Sequence, residues 1–215
     1  MTYTNRALLG NKSEGWRRFT GLEPSCSGFV LFLGVKKQYQ QLRHHNILFS
    51  RDYRNEFADI FERKVPPPDP TIYICWTGRT DPTHAPAGHS NLFVLVNAPY
   101  LTDNYDWQKP GTAQAYRDVI INRMREFGLE GLEEALEVEE IMTPLDLQER
   151  YNAERGAIYG LSSNNRFSDF LRPPNRSRKI KGLYYVGGST HPGGGVPLVT
   201  ISARIVANLI QQDRK

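Results

Sequence analysis

The nine residues "GGSTHPGGG" (187–195) hold five glycines, between an apolar run, "LYYV" (183–186), and a long apolar segment that begins at Val196. Glycines in that number let a ligand come against the backbone, because no Cβ stands in its way. A helix beginning directly after the loop adds an end carrying about half a positive charge and amides with no intrahelical acceptor. Together they make a site for an anion or for the electron-rich edge of a cofactor. Pro197 fits this placement, since a proline in the first turn gives up no donor that the helix needs. A tight connection that needs positive φ at several positions is the competing reading of the same glycines.

The familiar catalytic motifs are absent. G-x-G-x-x-G fails because the last position counted from Gly193 falls on Leu198, and G-x-x-x-x-G-K-[ST] does not occur. Ser189 and His191 invite a hydrolase reading, but "GGSTH" is not G-x-S-x-G, and a nine-residue loop is not a sharp nucleophile elbow. His44 and His45 open the segment "HHNILFS", where neighbouring side chains are expected on opposite faces of a strand and so not on one metal. His84 and His89 flank a Pro-rich loop with no carboxylate or thiol cluster beside them. Cys26 and Cys75 lie far apart without C-x-x-C spacing and read as small buried hydrophobes of a reducing compartment. No metal is expected.

Several elements must position the loop. "SGFVLFLGVKKQY", "HHNILFS", "TIYICWTGRTD" and "NLFVLVNAP" read as four strands of an antiparallel or mixed sheet. "DYRNEFADIFERKV" puts Tyr53, Phe57, Ile60 and Phe61 on one face of a short helix that "PPPDP" ends. From Thr112 the period turns helical, with Tyr116, Val119, Ile120, Met124 and Phe127 in step and Gly128 just past the end. An acidic helix over "LEGLEEALEVEEIM", a brief strand at 138–142, and a helix capped by Thr143, Pro144 and Asp146 follow. "LYYV", apolar without alternation, reads as a central parallel strand. The segment from Val196 to Leu209 reads as a helix buried on most of its circumference. Residues 1–20 form a polar lead-in, and 156–181 a polar, proline-containing passage.

The 215 residues, 39% hydrophobic and 23% charged, suit a globular chain with a real core. A net charge of +4 is spread among interspersed cations and anions. No basic patch interleaved with aromatics points to nucleic acid. The N-terminus lacks a signal-peptide core, and no apolar run is long enough to span a bilayer.

"LYYVGGSTHPGGGVPLVTISAR" resembles the C-terminal signature of the bacterial-type phytoene desaturases, the FAD-dependent carotenoid desaturase and isomerase family. "LEPSCSGFVLFLGVKKQY", "HHNILFS", "DPTIYICWTGRTDPTHAPAGHSNLFVLVNAP" and "TPLDLQERYNAERGAIYGL" are similar to that family in the same order, so the resemblance covers nearly the whole chain. It implies an α/β chain: an α+β substrate domain plus the C-terminal strand-loop-helix of a Rossmann-like FAD-binding domain, together an incomplete two-domain flavoprotein. The expected divisions are 1–110 (substrate-domain sheet), 111–178 (its helical and connecting part) and 179–215 (FAD-domain strand-loop-helix).

By the resemblance, Gly187, Gly188, Ser189, Gly195, Val196, Pro197 and Leu198 bind FAD, with the last three beside the flavin ring. The implied reaction removes hydride from an apolar carotenoid-like polyene to flavin, in carotenoid biosynthesis. The expected location is the cytoplasm, peripheral on a membrane face. The family's N-terminal dinucleotide-binding motif is absent, which leaves catalysis by this chain alone open and implies an N-terminal FAD-binding partner polypeptide. An inactive remnant, or a binding subunit without its own FAD half, is the alternative.

Overall fold

The computed structural model describes residues 3–9, 23–162 and 172–214. Most of the polar lead-in and the centre of the polar passage 156–181 lie outside these residues. The chain divides into two compact units: Met1–Cys26 with Leu147–Lys215, and Ser27–Asp146.

The central unit is built on five strands, β1 (Ser27–Val35), β2 (His45–Leu48), β3 (Ile72–Trp76), β4 (Ser90–Ala98) and β5 (Leu136–Met142). They form one antiparallel sheet in the order β2-β3-β4-β1-β5. All four expected strands form, and β5 begins two residues earlier than the spacing predicts. Alternation decides the faces: Leu31, Leu33, Ile72, Ile74, Val94 and Val96 all point into the core and are buried.

That face is covered by helix α2 (Thr112–Glu126), where Tyr116, Ile120, Ile121 and Met124 join the same core cluster. Gly128, at φ +89°, ends the helix and donates its amide to the Arg125 carbonyl at 2.9 Å. Phe127 turns outward and is exposed. Arg117 ties α2 to the sheet edge, donating to Glu139 of β5 at 2.7 Å, to Glu133 at 2.8 Å and to Asp118 at 3.0 Å. Burial opposes its charge, but these three carboxylates outweigh burial and raise its pKa.

Helix α1 (Tyr53–Ala58) runs into a wider, π-helical turn at Asp59–Arg63. Ile60 is buried, whereas Tyr53 and Phe57 are exposed and form a ladder of rings with Phe61, at 4.8 and 5.5 Å between centroids. The ladder follows i, i+4 spacing and Ile60 falls off it, so the four residues do not share one face as the apolar spacing predicts. Glu56, buried behind them, accepts from Ser50 Oγ at 2.7 Å, the Thr71 amide at 2.8 Å and Thr71 Oγ1 at 2.6 Å. It staples the entry and exit of the α1 segment to each other.

The expected acidic helix does not form. Residues 130–135 make turns, with Gly131 at φ +68° and Leu129 and Leu132 both buried. A left-handed residue between two inward-facing leucines is incompatible with a continuing right-handed helix. Helix α3 (Pro144–Tyr151) starts as its cap residues predict. Asp146 Oδ2 accepts from the Thr143 amide at 2.8 Å and hydroxyl at 2.7 Å.

Tyr116 carries one unmet polar atom. Its ring packs edge-on against Phe29 at 5.1 Å, but its hydroxyl is buried with no hydrogen-bond partner among the described residues. Burial first, then the Glu56, Tyr105 and Asp59 charges, push its pKa well up, so the group stays neutral. Tyr116→Phe keeps the ring and removes the orphan. It is expected to stabilise the protein by about 1 kcal/mol, read as a higher thermal unfolding midpoint. A lower midpoint would mean that the hydroxyl does find a partner.

Candidate functional site

The glycine loop belongs to the unit made of the two chain ends. Residues 183–186 do not form the central parallel strand that their composition predicts. Tyr184 makes an isolated antiparallel bridge with Arg176, and the Tyr185 amide donates to the Asn175 carbonyl at 2.8 Å. Among the described residues no parallel neighbour lies beside them, and Val186 is exposed. The run is apolar, yet a parallel strand also needs a partner reached by a crossover.

Helix α4 (Val196–Asp213) forms where expected, with Gly195 as its N-cap and proline in its first turn. It is not buried around most of its circumference. Ser202 alone is fully buried, with Val199, Val206 and Leu209 half-buried along the same stripe. Val196 is 82% exposed, and Leu198 and Ile201 are exposed too. The first two turns of α4 therefore expose an apolar patch.

Three side chains hold the loop in shape. Asn175, buried, donates its side-chain amide to the carbonyls of Tyr185 (3.1 Å) and His191 (2.8 Å) and to Ser202 Oγ (3.1 Å). Ser202 in turn accepts from the Gly187 amide at 3.2 Å, and Thr190 Oγ1 donates to the Pro173 carbonyl at 2.7 Å. The residue types showed none of this. A lone serine in an apolar helix and an asparagine after two prolines were the available signals.

The glycines serve two ends. Gly194 is required by packing, since a Cβ there would lie 2.6 Å from Tyr159 Cδ1. Gly195, at φ +93°, is different: a Cβ on it would meet nothing within 4 Å. Gly187, Gly188 and Ser189 sit half-buried on the inner limb of the loop, and Gly195, Val196, Pro197 and Leu198 are exposed on the outer limb and first helical turn. The limbs fold together, for a Cβ on Gly188 would lie 3.4 Å from Gly194 Cα. Among the described residues, nothing accepts from the amides of Gly194, Gly195, Val196 or Leu198. An open glycine face, unpaired amides and the positive end of an 18-residue helix can hold an anionic or electron-rich group.

The second candidate is the other face of the sheet. Residues directly opposite in an antiparallel ladder point the same way, so the registers define rows across that face. One row runs Ile47, Tyr73, Leu95, Val30, Met142, and the next runs His45, Cys75, Phe93, Phe32, Glu140. Phe32 and Phe93 meet edge-on at 5.5 Å, and Ile47 and Phe32 are exposed. Both rows are apolar along most of their length; Val30 and Met142 are already buried, so the part open to an extended, uncharged ligand runs from Ile47 past Leu95 and Phe93 to Phe32.

At its free edge the histidine expectation fails. His44 and His45 do not diverge, for their ring centroids lie 4.3 Å apart. Strand alternation starts only at His45, so it does not govern His44. Cys75 lies opposite His45 in the register. Tyr73, on the same face, is raised in pKa by burial first and then by hydrogen bonding to and the charge of Cys75.

No family model matches the chain. Over 191 residues, 87% of its length, it is 40% identical to the proteins named 4,4'-diaponeurosporene oxygenase of Staphylococcus haemolyticus and Staphylococcus aureus. This chain is similar to part of a carotenoid-modifying oxidoreductase. It spans 37% of the length of those relatives. A crystal structure of an oxidoreductase from Methanosarcina mazei superposes on 94% of the chain with a TM-score of 0.53, over 38% of its own length and at 13% identity. That likeness shows a shared α/β fold. No helix among the described residues is long and apolar enough to cross a membrane.

Proposed function

We propose that this chain supplies the polyene-binding sheet and one wall of the flavin site of an FAD-dependent oxidoreductase that acts on a carotenoid. The observation that carries the reading is the turn into α4, where unpaired amides and the open face of Gly195 adjoin a helix N-terminus. In this reading Gly187, Gly188 and Ser189 approach the phosphate and ribityl portions of FAD, and Val196, Pro197 and Leu198 lie beside the ring. FAD, when bound, supplies the two-electron chemistry. The chain's part is to orient the cofactor, to place a positive helix end where negative charge grows, and to keep water out.

The open sheet face receives the substrate. A polyene carries no ionisable handle, so affinity comes from apolar area, which the rows through Leu95 and Phe93 provide. The names of the relatives favour oxygenation of the polyene over the introduction of a double bond, and the product distinguishes the two. The exposed apolar patch of α4 is the surface on which an N-terminal FAD-binding polypeptide would pack. Delivery of so insoluble a substrate places the protein peripherally at a membrane face.

The test is to purify the chain with a co-expressed polypeptide carrying an N-terminal FAD-binding half and to record flavin absorbance. Bound flavin is expected in the assembly, together with conversion of a supplied carotenoid. Gly195→Val adds a side chain where the protein has no atom within 4 Å. It is expected to cut retained flavin at least tenfold, because the new side chain occupies the cofactor's space. Valine at φ +93° and ψ 143°, a region occupied essentially by glycine, is strained by about 1–3 kcal/mol, which lowers the unfolding midpoint. Flavin without turnover would mark a binding subunit, and an assembly free of flavin would end the reading.

A further inference from the structure

We propose that His44, His45 and Cys75 form a binding site for one Zn²⁺ ion at the free edge of the sheet. The site is separate from the flavin reading and does not depend on it. One nitrogen of each imidazole and the Cys75 sulfur all lie within 4.8 Å of one another. Among the described residues they are the one grouping of three His, Cys, Asp or Glu ligands that comes together this closely. A tetrahedral zinc ion with bonds of about 2.0 Å to nitrogen and 2.3 Å to sulfur holds two nitrogens and a sulfur roughly 3.3–3.5 Å apart. Side-chain rotation closes a gap of that size without moving the strands.

The backbone supplies the convergence. His45 and Cys75 are directly opposed on β2 and β3, so their side chains leave the sheet on the same face. His44, one residue before the strand, swings its ring over to that of His45. Each ring is already anchored through Nδ1, His44 to Thr80 Oγ1 at 2.6 Å and His45 to the Tyr73 hydroxyl at 2.7 Å. Metal-bound imidazoles are oriented by such outer partners, which here leave Nε2 to ligate.

Two imidazoles and a thiolate select a late transition metal over Mg²⁺ or Ca²⁺, whose preference is oxygen. Cys75 enters as the thiolate, and its proton passes to solvent. Three protein ligands leave the fourth position to water, which the exposure of His45 allows. The ion would clip β2, one of the two outer strands of the sheet, to β3, and an edge strand held in this way is less available for pairing with other chains.

Zn²⁺ titrated into the metal-free protein against a chromophoric chelator is expected to bind one ion per chain and to raise the unfolding midpoint. Co²⁺ in its place is expected to show a thiolate charge-transfer band. Cys75→Ser, nearly isosteric, should abolish that band and weaken Zn²⁺ binding at least tenfold. His44→Ala and His45→Ala should each weaken it similarly, and Cys26→Ser should change nothing. Far-ultraviolet circular dichroism of the metal-free variants checks that they fold. Should a histidine variant not fold, Cys75→Ser with the cobalt spectrum decides alone. A cobalt complex without the thiolate band, or Cys75→Ser binding Zn²⁺ as tightly as the parent, overturns the proposal.

Discussion

Asn175→Asp is expected to collapse the glycine loop and abolish flavin retention in the assembled protein, with a larger loss of stability than Asn175→Ala. The Asn175 side-chain amide joins three elements: the segment before the loop through Tyr185, the loop itself through His191, and helix α4 through Ser202. Truncation to alanine removes the donors and leaves the Tyr185 and His191 carbonyls without this partner, while Ser202 Oγ keeps the Gly187 amide, a cost of about 1–3 kcal/mol. Aspartate is worse than nothing. Its carboxylate sets an acceptor, and at neutral pH a charge, against two carbonyl oxygens where only donors fit, raising the cost to about 3–5 kcal/mol. Thermal unfolding of both variants, with the flavin content of the assembly, checks the order. If aspartate is tolerated as well as alanine, the amide is not the staple and the loop is held by its glycines alone.

The second large effect is on the open sheet face. Phe32→Asp is expected to weaken carotenoid binding by about 100-fold while leaving a folded protein. Phe32 sits in the row His45, Cys75, Phe93, Phe32, Glu140 and is 38% exposed, so part of its ring is available to a ligand. Covering such a ring with a polyene contributes about 2 kcal/mol, and a carboxylate in its place must also be desolvated by an apolar partner. The fold loses the edge-on contact with Phe93, about 1 kcal/mol, and gains a carboxylate directly opposite Glu140, up to about 1 kcal/mol more, which the sheet is expected to withstand. Phe32→Leu keeps the apolar area and is expected to restore most of the affinity. Carotenoid binding, followed by the spectral shift of the bound polyene, separates the variants. Equal binding by Phe32→Asp and the parent would move the substrate off this face.

These two sites differ in how far they could be read in advance. The strands β1 to β4 and helix α2 are written locally: short apolar runs rich in β-branched and aromatic residues for the strands, the run Tyr116, Ile120, Met124 for the helix. The cap of α3 is local as well, because Thr143 and Asp146 bond across three residues. Where prediction failed, a distant contact or a single backbone angle had decided. The acidic segment reads as helix by composition, but Gly131 at φ +68° and the burial of Leu129 and Leu132 turn it into a loop. "LYYV" has the composition of a central strand, but composition is silent on whether a neighbour stands beside it.

The amino-acid order by itself determined the presence of a glycine loop before a long apolar helix, four of the sheet's strands, and the likeness to carotenoid-modifying oxidoreductases. All of these rest on residues close together in the chain or on an ordered run of motifs. Tertiary structure alone decided which glycines are filled by the protein's own atoms, Gly194 against Tyr159, and which stand open, Gly195. It alone joined Asn175 to Ser202 across 27 positions, and His45 to Cys75 across two strands. The physical reason is the same in each case. A hydrogen bond or a ligand shell depends on distance in space, and the chain must fold before residues far apart in order acquire one.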